Sequence, residues 1–337
     1  MPDGLLLGAL VGPSPAVAWL REMIVMAAST DVPVLITGES GSGKELVARA
    51  IHRESARRDQ PLVGVNCAAV PAELFESEFF GHASGAFTGA LRERSGHFRA
   101  AQGGTLFLDE VTEMPTPLQA KLLRALDRGT VRRVGEDVER PVDVRVIAST
   151  NREVTHELRS GRLRADLYYR LSVVRIHVPP LCARRQDIPW LAQHFLTQRR
   201  GPGAGRLLTA RARDRLLAHD WPGNVRELFN VLERALMLTK GEELQVELAL
   251  EQSAEARPPV KPELFTDRVL PDQVLQDLMR QNTEAALRQT GWKIAGSDGA
   301  AVLLGIKAST LMSRVKRWGI SRAVTEPPTM ERQPQQA

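Results

Sequence analysis

The chain has 337 residues, 45 Lys and Arg against 40 Asp and Glu, a net charge of +5, 43% hydrophobic residues and 5% aromatics. Such a length suggests two or three domains, and such a composition a globular protein with enough apolar material for a core. The apolar runs at 32–36, 106–108 and 142–148 are short or interrupted by charge, far below the roughly 20 residues of a membrane span. The start, Met1-Pro2-Asp3-Gly4, lacks the basic opening of a secretory leader. Cys67 and Cys182 make neither a disulfide framework nor metal-ligand spacing, and buried thiols are expected at both. Secreted, membrane-spanning and zinc-finger classes are excluded, and a cytoplasmic protein is expected.

In chain order, the first element is a buried-strand run at 32–36, followed directly by Gly38-Glu39-Ser40-Gly41-Ser42-Gly43-Lys44-Glu45 opening a helical stretch to Arg57. Strand, Gly-rich loop and helix in that order make a P-loop. The glycines let backbone N–H groups wrap phosphates, the helix N-terminus adds partial positive charge, and Lys44 reaches the β- and γ-phosphates. A P-loop usually continues with Ser or Thr as a Mg²⁺ ligand; here Glu45 stands there, and a Gly-rich turn without ligand is the alternative. A second strand is expected at 62–65 and a third at 105–108, the latter running into Asp109 and Glu110. At the carboxyl edge of a parallel sheet these two acids would hold Mg²⁺ and polarise the attacking water. Alone they would read as a solvated loop start; behind a P-loop they favour ATP hydrolysis.

A helix over 117–127 and a strand over 142–147 follow, the strand leading to Thr150 and Asn151 beside the γ-phosphate position. Arg164 and Arg170 flank Ala165-Asp166-Leu167-Tyr168-Tyr169; on residue pattern alone they read as surface ion pairs to Asp166 or Glu157. The last strand is expected at 173–176. Strands alternating with helices imply an α/β fold, a mostly parallel sheet with helices on both faces. From 187 to 250 the pattern is wholly helical, with apolar periodicity over 187–198, 208–219 and 225–238. The polar, Pro-containing stretch 252–261 reads as a linker. Beyond it lies a small helical module over 271–320, then a Pro/Gln-rich tail expected to be disordered.

Charge concentrates in that module. Between 291 and 322, Lys293, Lys307, Arg314, Lys316, Arg317 and Arg322 face the single acid Asp298, so this stretch alone carries +5. Residues 299–311 read as helix, Gly305 turn, helix, with Ser309, Thr310, Arg314, Lys316 and Arg317 on the second helix. Duplex DNA is the expected partner; a three-helix oligomerisation bundle with a solvated basic face is the alternative. Aromatics are too scarce there for stacking single strands.

One further segment, Phe79-Phe80-Gly81-His82-Ala83-Ser84-Gly85-Ala86-Phe87-Thr88-Gly89-Ala90, carries a specific resemblance. Its Gly-Ala-Phe-Thr-Gly-Ala core is similar to the surface-loop signature of the AAA+ activators of sigma-54 RNA polymerase, the bacterial enhancer-binding proteins. Family-like stretches occur in the family's order at 65–69, 107–110, 164–171 and 221–228, and the similarity runs from Val11 to Lys240. The C-terminal module resembles the Fis-type helix-turn-helix that ends these activators, here with Lys307 among the expected DNA contacts. The resemblance implies an AAA+ P-loop NTPase with a helical lid. Its domains would be a short N-terminal extension (1–10), an α/β subdomain (11–180), the lid (181–250), a linker (251–270), the DNA-binding domain (271–322) and a tail (323–337).

It also implies roles. Lys44, in a loop of Gly38, Glu39, Ser40, Gly41, Ser42, Gly43 and Glu45, would bind the phosphates of ATP. Asp109 would hold Mg²⁺, directly or through water, and Glu110 the nucleophilic water; Asn66 would hold Glu110 aside until ATP is sensed. Asn151 resembles sensor I, Arg164 and Arg170 the fingers offered to a neighbouring subunit, and Arg226 the sensor II arginine of the lid. Gly85, Ala86, Phe87, Thr88, Gly89 and Ala90 would form the sigma-factor loop, an apolar tip between Gly hinges biased by nucleotide state. Glu45 is the family's habit at its position, whereas Cys182 and Ala183 replace its Arg and Glu, which puts in doubt a salt-bridge network at the junction with the lid.

The resulting expectation is an activator, related to response regulators. It would bind enhancer DNA as a dimer, assemble to a hexamer on ATP and remodel the sigma-54 holoenzyme from closed to open complex. About ten residues precede the AAA+ module where most relatives carry a sensing domain; control by a trans-acting regulatory protein, control by expression level and an incomplete chain are the three readings this leaves open. The alternatives are a DNA-binding repressor whose AAA+ domain oligomerises on nucleotide without remodelling polymerase, and a replication loader or unfoldase, which has no reason to carry the six-residue loop.

Overall fold

The computed structural model describes residues 10–87, 90, 92–200, 208–239, 244–255, 271–296 and 298–320. Two compact units divide the chain, 1–258 and 259–337. Among the described residues no helix is long and apolar enough to cross a membrane.

The first unit opens with α1 (Pro15–Ala28), started by Ser14, whose Oγ accepts from Val17 N at 3.1 Å, and by Pro15 in the first turn. Then come β1 (Val34–Thr37), α2 (Lys44–Arg53), β2 (Leu62–Asn66), α3 (Ala72–Phe80), the short β3 (Gly81–His82) and β4 (Arg94–Ser95), α4 (His97–Ala100) and β5 (Thr105–Asp109). They are followed by α5 (Thr116–Arg128), the hairpin β6 (Thr130–Arg132) and β7 (Glu139–Pro141), β8 (Arg145–Thr150), α6 (Val154–Arg159), α7 (Ala165–Leu171) and β9 (Val174–His177). Five strands form one parallel sheet in the order β2-β5-β8-β1-β9.

The two-residue period of the strands builds two cores. Val34, Ile36, Phe107 and Ile147 pack on one face with Leu20, Ile24, Val47 and Ile51 of α1 and α2. Leu35, Leu106, Leu108, Val146 and Ala148 pack on the other with Phe75 and Phe79 of α3, Leu118 and Leu122 of α5 and Leu167 of α7. The strand expected at 142–147 lies instead at Arg145–Thr150, with all six residues buried. Val142 N donates to Gly129 O (2.7 Å), closing the hairpin, so residues 142–144 do not join the sheet. Polar Ser149 and Thr150 stay in the strand because the carboxyl edge supplies partners, Asp109 and Thr112.

The lid is built from α8 (Ile188–Arg200), α9 (Ala210–Ala218), α10 (Asn224–Leu238) and α11 (Val246–Glu255) around Leu191, Leu196, Leu216, Leu228, Val231 and Trp221. The buried Trp221 indole donates to Leu216 O at 2.8 Å. Helix α11 runs to Glu255, so the expected linker over 251–270 is helical at its start; its strong helix formers Leu248, Ala249, Leu250 and Glu251 pull the boundary outward. The rest of that segment, the N-terminal extension as far as Ala9 and the tail lie outside the described residues.

The second unit holds α12 (Asp272–Gln289), α13 (Ala300–Leu303) and α14 (Ala308–Trp318) around Ala286, Leu287, Ala300, Ala301, Leu311 and Ile320. Gly305 takes the left-handed conformation (φ 64°) between α13 and α14, which gives the expected helix, turn, helix.

Candidate nucleotide site

The P-loop leaves β1 and enters α2 through three glycines at positive φ: Gly38 (152°), Gly41 (74°) and Gly43 (111°). A Cβ at Gly38 would stand 2.6 Å from Val178 O, and one at Gly41 2.4 Å from Gly223 O of the lid. Glycine is therefore required at Gly41 both for its backbone and for the approach of the lid. Lys44 is buried, and its Nζ donates to Gly38 O (2.9 Å) and Glu39 O (3.3 Å) while lying 3.4 Å from Glu110 Oε1. Glu45 points away; its carboxylate pairs with Arg49 one turn on (2.7 Å).

Glu110, the residue after β5, sits in the left-handed region at φ 56° and ψ 53°, a strained place for a side chain with a Cβ and one often found at functional sites. Its Oε2 accepts from Asn151 N at 2.8 Å, so one carboxylate bridges Lys44 and the end of β8. Asp109 Oδ1 accepts from Ser149 Oγ at 2.5 Å. Asn66 lies opposite Asp109 in the strand register, but its side chain is exposed and caps the next turn, accepting from Ala68 N at 2.9 Å. The structure thus brings Lys44, Glu110 and the Asn151 backbone together and turns the two oxygens of Glu110 toward groups other than Asn66. The Cys67 thiol, buried beside these acids, is pushed up to about 12, first by burial and then by the carboxylates of Asp109, Glu110 and Glu113. Cys182, expected to be buried, is exposed: it stands on a 3₁₀ turn whose Leu181 takes the inward position.

The lid closes on the loop. Arg226 Nη1 donates to Ser40 Oγ (3.1 Å), and Val225 N and Arg226 N point at Gly41 O (3.1 and 3.4 Å). Asn224, fully buried and at φ 55°, holds three segments: its Nδ2 donates to Glu39 Oε2 (2.9 Å) and Ser40 O (3.2 Å), and its Oδ1 accepts from Leu181 N (2.7 Å). Only this orientation of the amide gives all three partners a complement. At the junction in which Cys182 and Ala183 stand, where the sequence put a salt-bridge network in doubt, hydrogen bonds hold the segment: Arg184 donates to Ser42 O (2.8 Å), and Asp187 accepts from both the backbone N (2.9 Å) and the hydroxyl (2.6 Å) of Ser14. Sequence reasoning did not single out Ser149, Asn224, Arg184 or Asp187. Asn224 alone carried a signal, as a non-glycine residue at the head of a helix behind Pro222-Gly223.

Arg164 and Arg170 occupy the two ends of α7. Arg164 is exposed and forks onto Asp166 (2.7 and 3.1 Å); Arg170 pairs with Asp127 (3.0 Å) and donates to Leu126 O (2.9 Å). The Asp166 pairing expected from residue pattern is present; Glu157 binds Arg162 instead (2.8 Å).

The six-residue loop rises from β3 and β4. Thr88 and Gly89 lie outside the described residues. Gly85 N donates to Ala90 O (2.8 Å), and Phe87, 42% exposed, sets its ring edge-on to His82 at 5.0 Å. His82 Nε2–H donates to Arg92 O (3.1 Å), leaving Nδ1 to accept from Ser77 Oγ (2.7 Å). The root is also tied to the β6–β7 turn, since Ala83 N donates to Val134 O (3.0 Å) and Val134 N to Gly81 O (2.9 Å). In the second unit, Lys307 caps α14, Ser309 and Thr310 lie exposed in its first turn, Lys316 and Arg317 are exposed in its last, and Arg314 sits over the Trp318 ring at 5.9 Å.

Strand order, P-loop, acid pair at the carboxyl edge and helical lid define an AAA+ P-loop NTPase fold. Residues 10–177 match the Sigma-54 interaction domain and residues 183–263 the AAA+ ATPase lid domain. The chain belongs to the sigma-54-dependent transcriptional activator family. It is 47% identical to the transcriptional regulatory protein ZraR of Salmonella typhimurium over 91% of this chain and 68% of that protein. It is 45% identical to the transcriptional activator HyfR of Escherichia coli over 94% of this chain, which spans 48%, about half, of HyfR. Among solved structures, NtrX from Brucella abortus in complex with ADP aligns with a TM-score of 0.67 at 36% identity, covering 92% of this chain and 70% of NtrX. NtrX has also been solved in complex with ATP, with a TM-score of 0.64 over 92% of this chain and 69% of NtrX.

Proposed function

We propose that this chain hydrolyses ATP to drive sigma-54 holoenzyme from the closed to the open promoter complex, acting from enhancer DNA as a cytoplasmic homo-oligomer. The observation that carries the reading is Glu110, a carboxylate held in a strained backbone between Lys44 of the P-loop and the Asn151 amide. Such a carboxylate would polarise water against a phosphate held by Lys44. In this reading Gly38 to Lys44 wrap the phosphates, Asn151 senses the γ-phosphate, and Arg226 reports the nucleotide to the lid. Asn66 would meet Glu110 only after a side-chain rotation. Mg²⁺ would neutralise phosphate charge. Asp109, a hard oxygen donor at the end of β5, would hold that ion together with the substrate's own oxygens. Arg164 and Arg170 would serve the neighbouring subunit's nucleotide.

Phe87 and Thr88 would press on the sigma factor, and the basic helix α14 would enter duplex DNA, with Lys307, Ser309, Thr310, Arg314, Lys316 and Arg317 as contacts and a steep salt dependence. The work divides as 11–180 for nucleotide and sigma factor, 181–250 for the lid and 271–322 for DNA. The test is ATP-dependent open-complex formation by the purified protein on a sigma-54 promoter. Thr88→Ala should retain ATPase activity and lose promoter opening, and Glu110→Gln should bind ATP without turnover. Normal opening by Thr88→Ala would refute the loop assignment. An absence of ATP turnover by the parent protein would favour a nucleotide-assembled repressor.

A further inference from the structure

Helix α5 buries Leu118, Leu122 and Ala125 against the sheet, and in the same row of turns it buries one amide, Gln119, with no exposed surface at all. A polar side chain in such a place is tolerated only when its hydrogen bonds are met. Here they are met wholly by irregular backbone. Nε2 donates to Met114 O (2.9 Å) and Arg162 O (2.7 Å), and Oε1 accepts from Arg164 N (2.9 Å). Met114 ends the 3₁₀ turn that starts from Glu110, its N donating to Val111 O (3.1 Å). Arg162 and Arg164 belong to the segment that leads into α7, and Arg164 is the extended residue at the head of that helix (φ −68°, ψ 135°). One side chain therefore fastens the segment behind the acid pair to the backbone of the exposed arginine.

The rest of that segment is also pinned. Leu163 is buried and its N donates to Glu157 O (3.1 Å), while Arg162 forks onto the Glu157 carboxylate (2.8 Å). The backbone of Arg164 is thus fixed, and its guanidinium, exposed on Asp166, is the part that can reach outward. Arg170 makes its contacts with the other end of α5, at Asp127 and Leu126 O, and so does not depend on Gln119.

We propose that Gln119 is the positioning residue for Arg164: it sets where this arginine stands toward a second copy's nucleotide. The inference rests on the reading of Arg164 as an arginine offered in trans. It predicts a defect in what a subunit gives its neighbour, not in its own site.

The experiment uses the full chain in mixed assemblies. Gln119→Leu keeps the volume and loses the hydrogen bonds. Alone, it should bind an ATP analogue within about twofold of the parent and keep its KM, while kcat falls roughly ten- to a hundredfold, the scale on which a misplaced catalytic group costs rate. Glu110→Gln alone should be inactive. Mixed, the two should turn over more ATP than the sum of the separate proteins, because a Gln119→Leu subunit has an intact acid pair and receives a correctly placed arginine from a Glu110→Gln neighbour. Arg164→Ala mixed with Glu110→Gln is the control. If the control recovers activity and the Gln119→Leu mixture does not, Gln119 serves its own site and the proposal is overturned while the trans reading stands. If the control itself fails to recover, the trans reading falls and this inference with it. Parent-like kcat for Gln119→Leu also overturns it. Should Gln119→Leu not fold, Gln119→Glu replaces it: in its buried, protonated form it keeps the acceptor for Arg164 N and one donor. A smaller kcat loss with the same recovery on mixing is expected, and no recovery on mixing overturns the proposal.

Discussion

Asn224 offers a sharp test of how the lid is held to the P-loop. The substitution Asn224→Asp retains the oxygen that accepts from Leu181 N (2.7 Å) but removes the donor that serves Glu39 Oε2 (2.9 Å) and Ser40 O (3.2 Å). The bond to the Glu39 carboxylate is charge-assisted and worth about 1.5–3 kcal/mol, the neutral one about 0.5–1.5. The new carboxylate would also face Glu39 at near contact; because Glu39 is exposed and can swing into water, only about 1 kcal/mol of repulsion is counted. The loss is then about 3–5.5 kcal/mol, or roughly 6–22 °C in unfolding temperature for a unit of this size. Asn224→Gly, which tolerates the positive φ of 55°, removes the same donors and also the acceptor for Leu181 N, but adds no charge; it should lose a comparable amount and serves as the comparison without a titrating group. The assay is thermal unfolding at pH 7.5 and pH 5, with nucleotide affinity measured beside it. Two facing carboxylates share a proton more readily than either alone binds one, so lowering the pH should recover part of the Asn224→Asp loss and none of the Asn224→Gly loss. An Asn224→Asp protein as stable as the parent at pH 7.5 would refute the clamp.

Three further outcomes follow from single observations. A Cβ at Gly135, where φ is 81°, would stand 2.7 Å from Ala86 Cβ, so Gly135→Ala should displace the root of the Phe87 loop; promoter opening should fall at least tenfold with ATPase activity within about threefold of the parent, and equal loss of both would contradict it. The buried Cys67 thiol, pushed up to about 12, should resist iodoacetamide at pH 8 in the folded protein while exposed Cys182 reacts, which peptide mapping reads directly. Burial holds His52, 2.9 Å from Thr105 Oγ1, below its ordinary imidazole value. The unfolded chain then binds more protons below about pH 6.5, so this contribution to stability is present above that pH and lost as pH falls through the folded value. His52→Gln should show a smaller drop in unfolding temperature between pH 7.5 and 5.5 than the parent; an equal drop would remove His52 from the account.

The parallel sheet was legible because burial on both faces leaves continuous apolar runs such as 32–36 and 105–108, each ending in a polar group at one edge. Strand β8 was misplaced by three residues because Val142 and Val144 look like strand residues and Ser149 and Thr150 do not; their partners, Asp109 and Thr112, lie in another strand's neighbourhood and cannot be read from local pattern. The P-loop, Asp109 and Glu110 were legible as motif. The destination of the Glu110 carboxylate was not, since it depends on a left-handed backbone at a residue that does not favour one. Lid contacts were the least legible part. Asn224 is a single amide whose partners, Leu181 N, Glu39 and Ser40, lie far away in sequence, and no periodicity announces it; the same holds for Gln119 on α5, which binds the backbone of Arg162 and Arg164.

Helix α5 is the element through which these local facts become one device. It has 13 residues, about 20 Å of rigid rod at 1.5 Å per residue. Near its start, Gln119 grips the segment behind Glu110 and the backbone of Arg164; at its end, Gly129 turns the chain at φ 61° into the hairpin whose Val134 holds Gly81 and Ala83 at the root of the Phe87 loop. Packed cores of this density do not absorb a shift by yielding; they pass it on. A displacement of the segment after Glu110 would therefore reach the exposed arginine and the loop root together, through one helix. That is a physical reason for the acid pair and the Phe87 loop to lie in one domain rather than in two joined by a linker: a flexible connection would dissipate a motion that a packed helix would pass on.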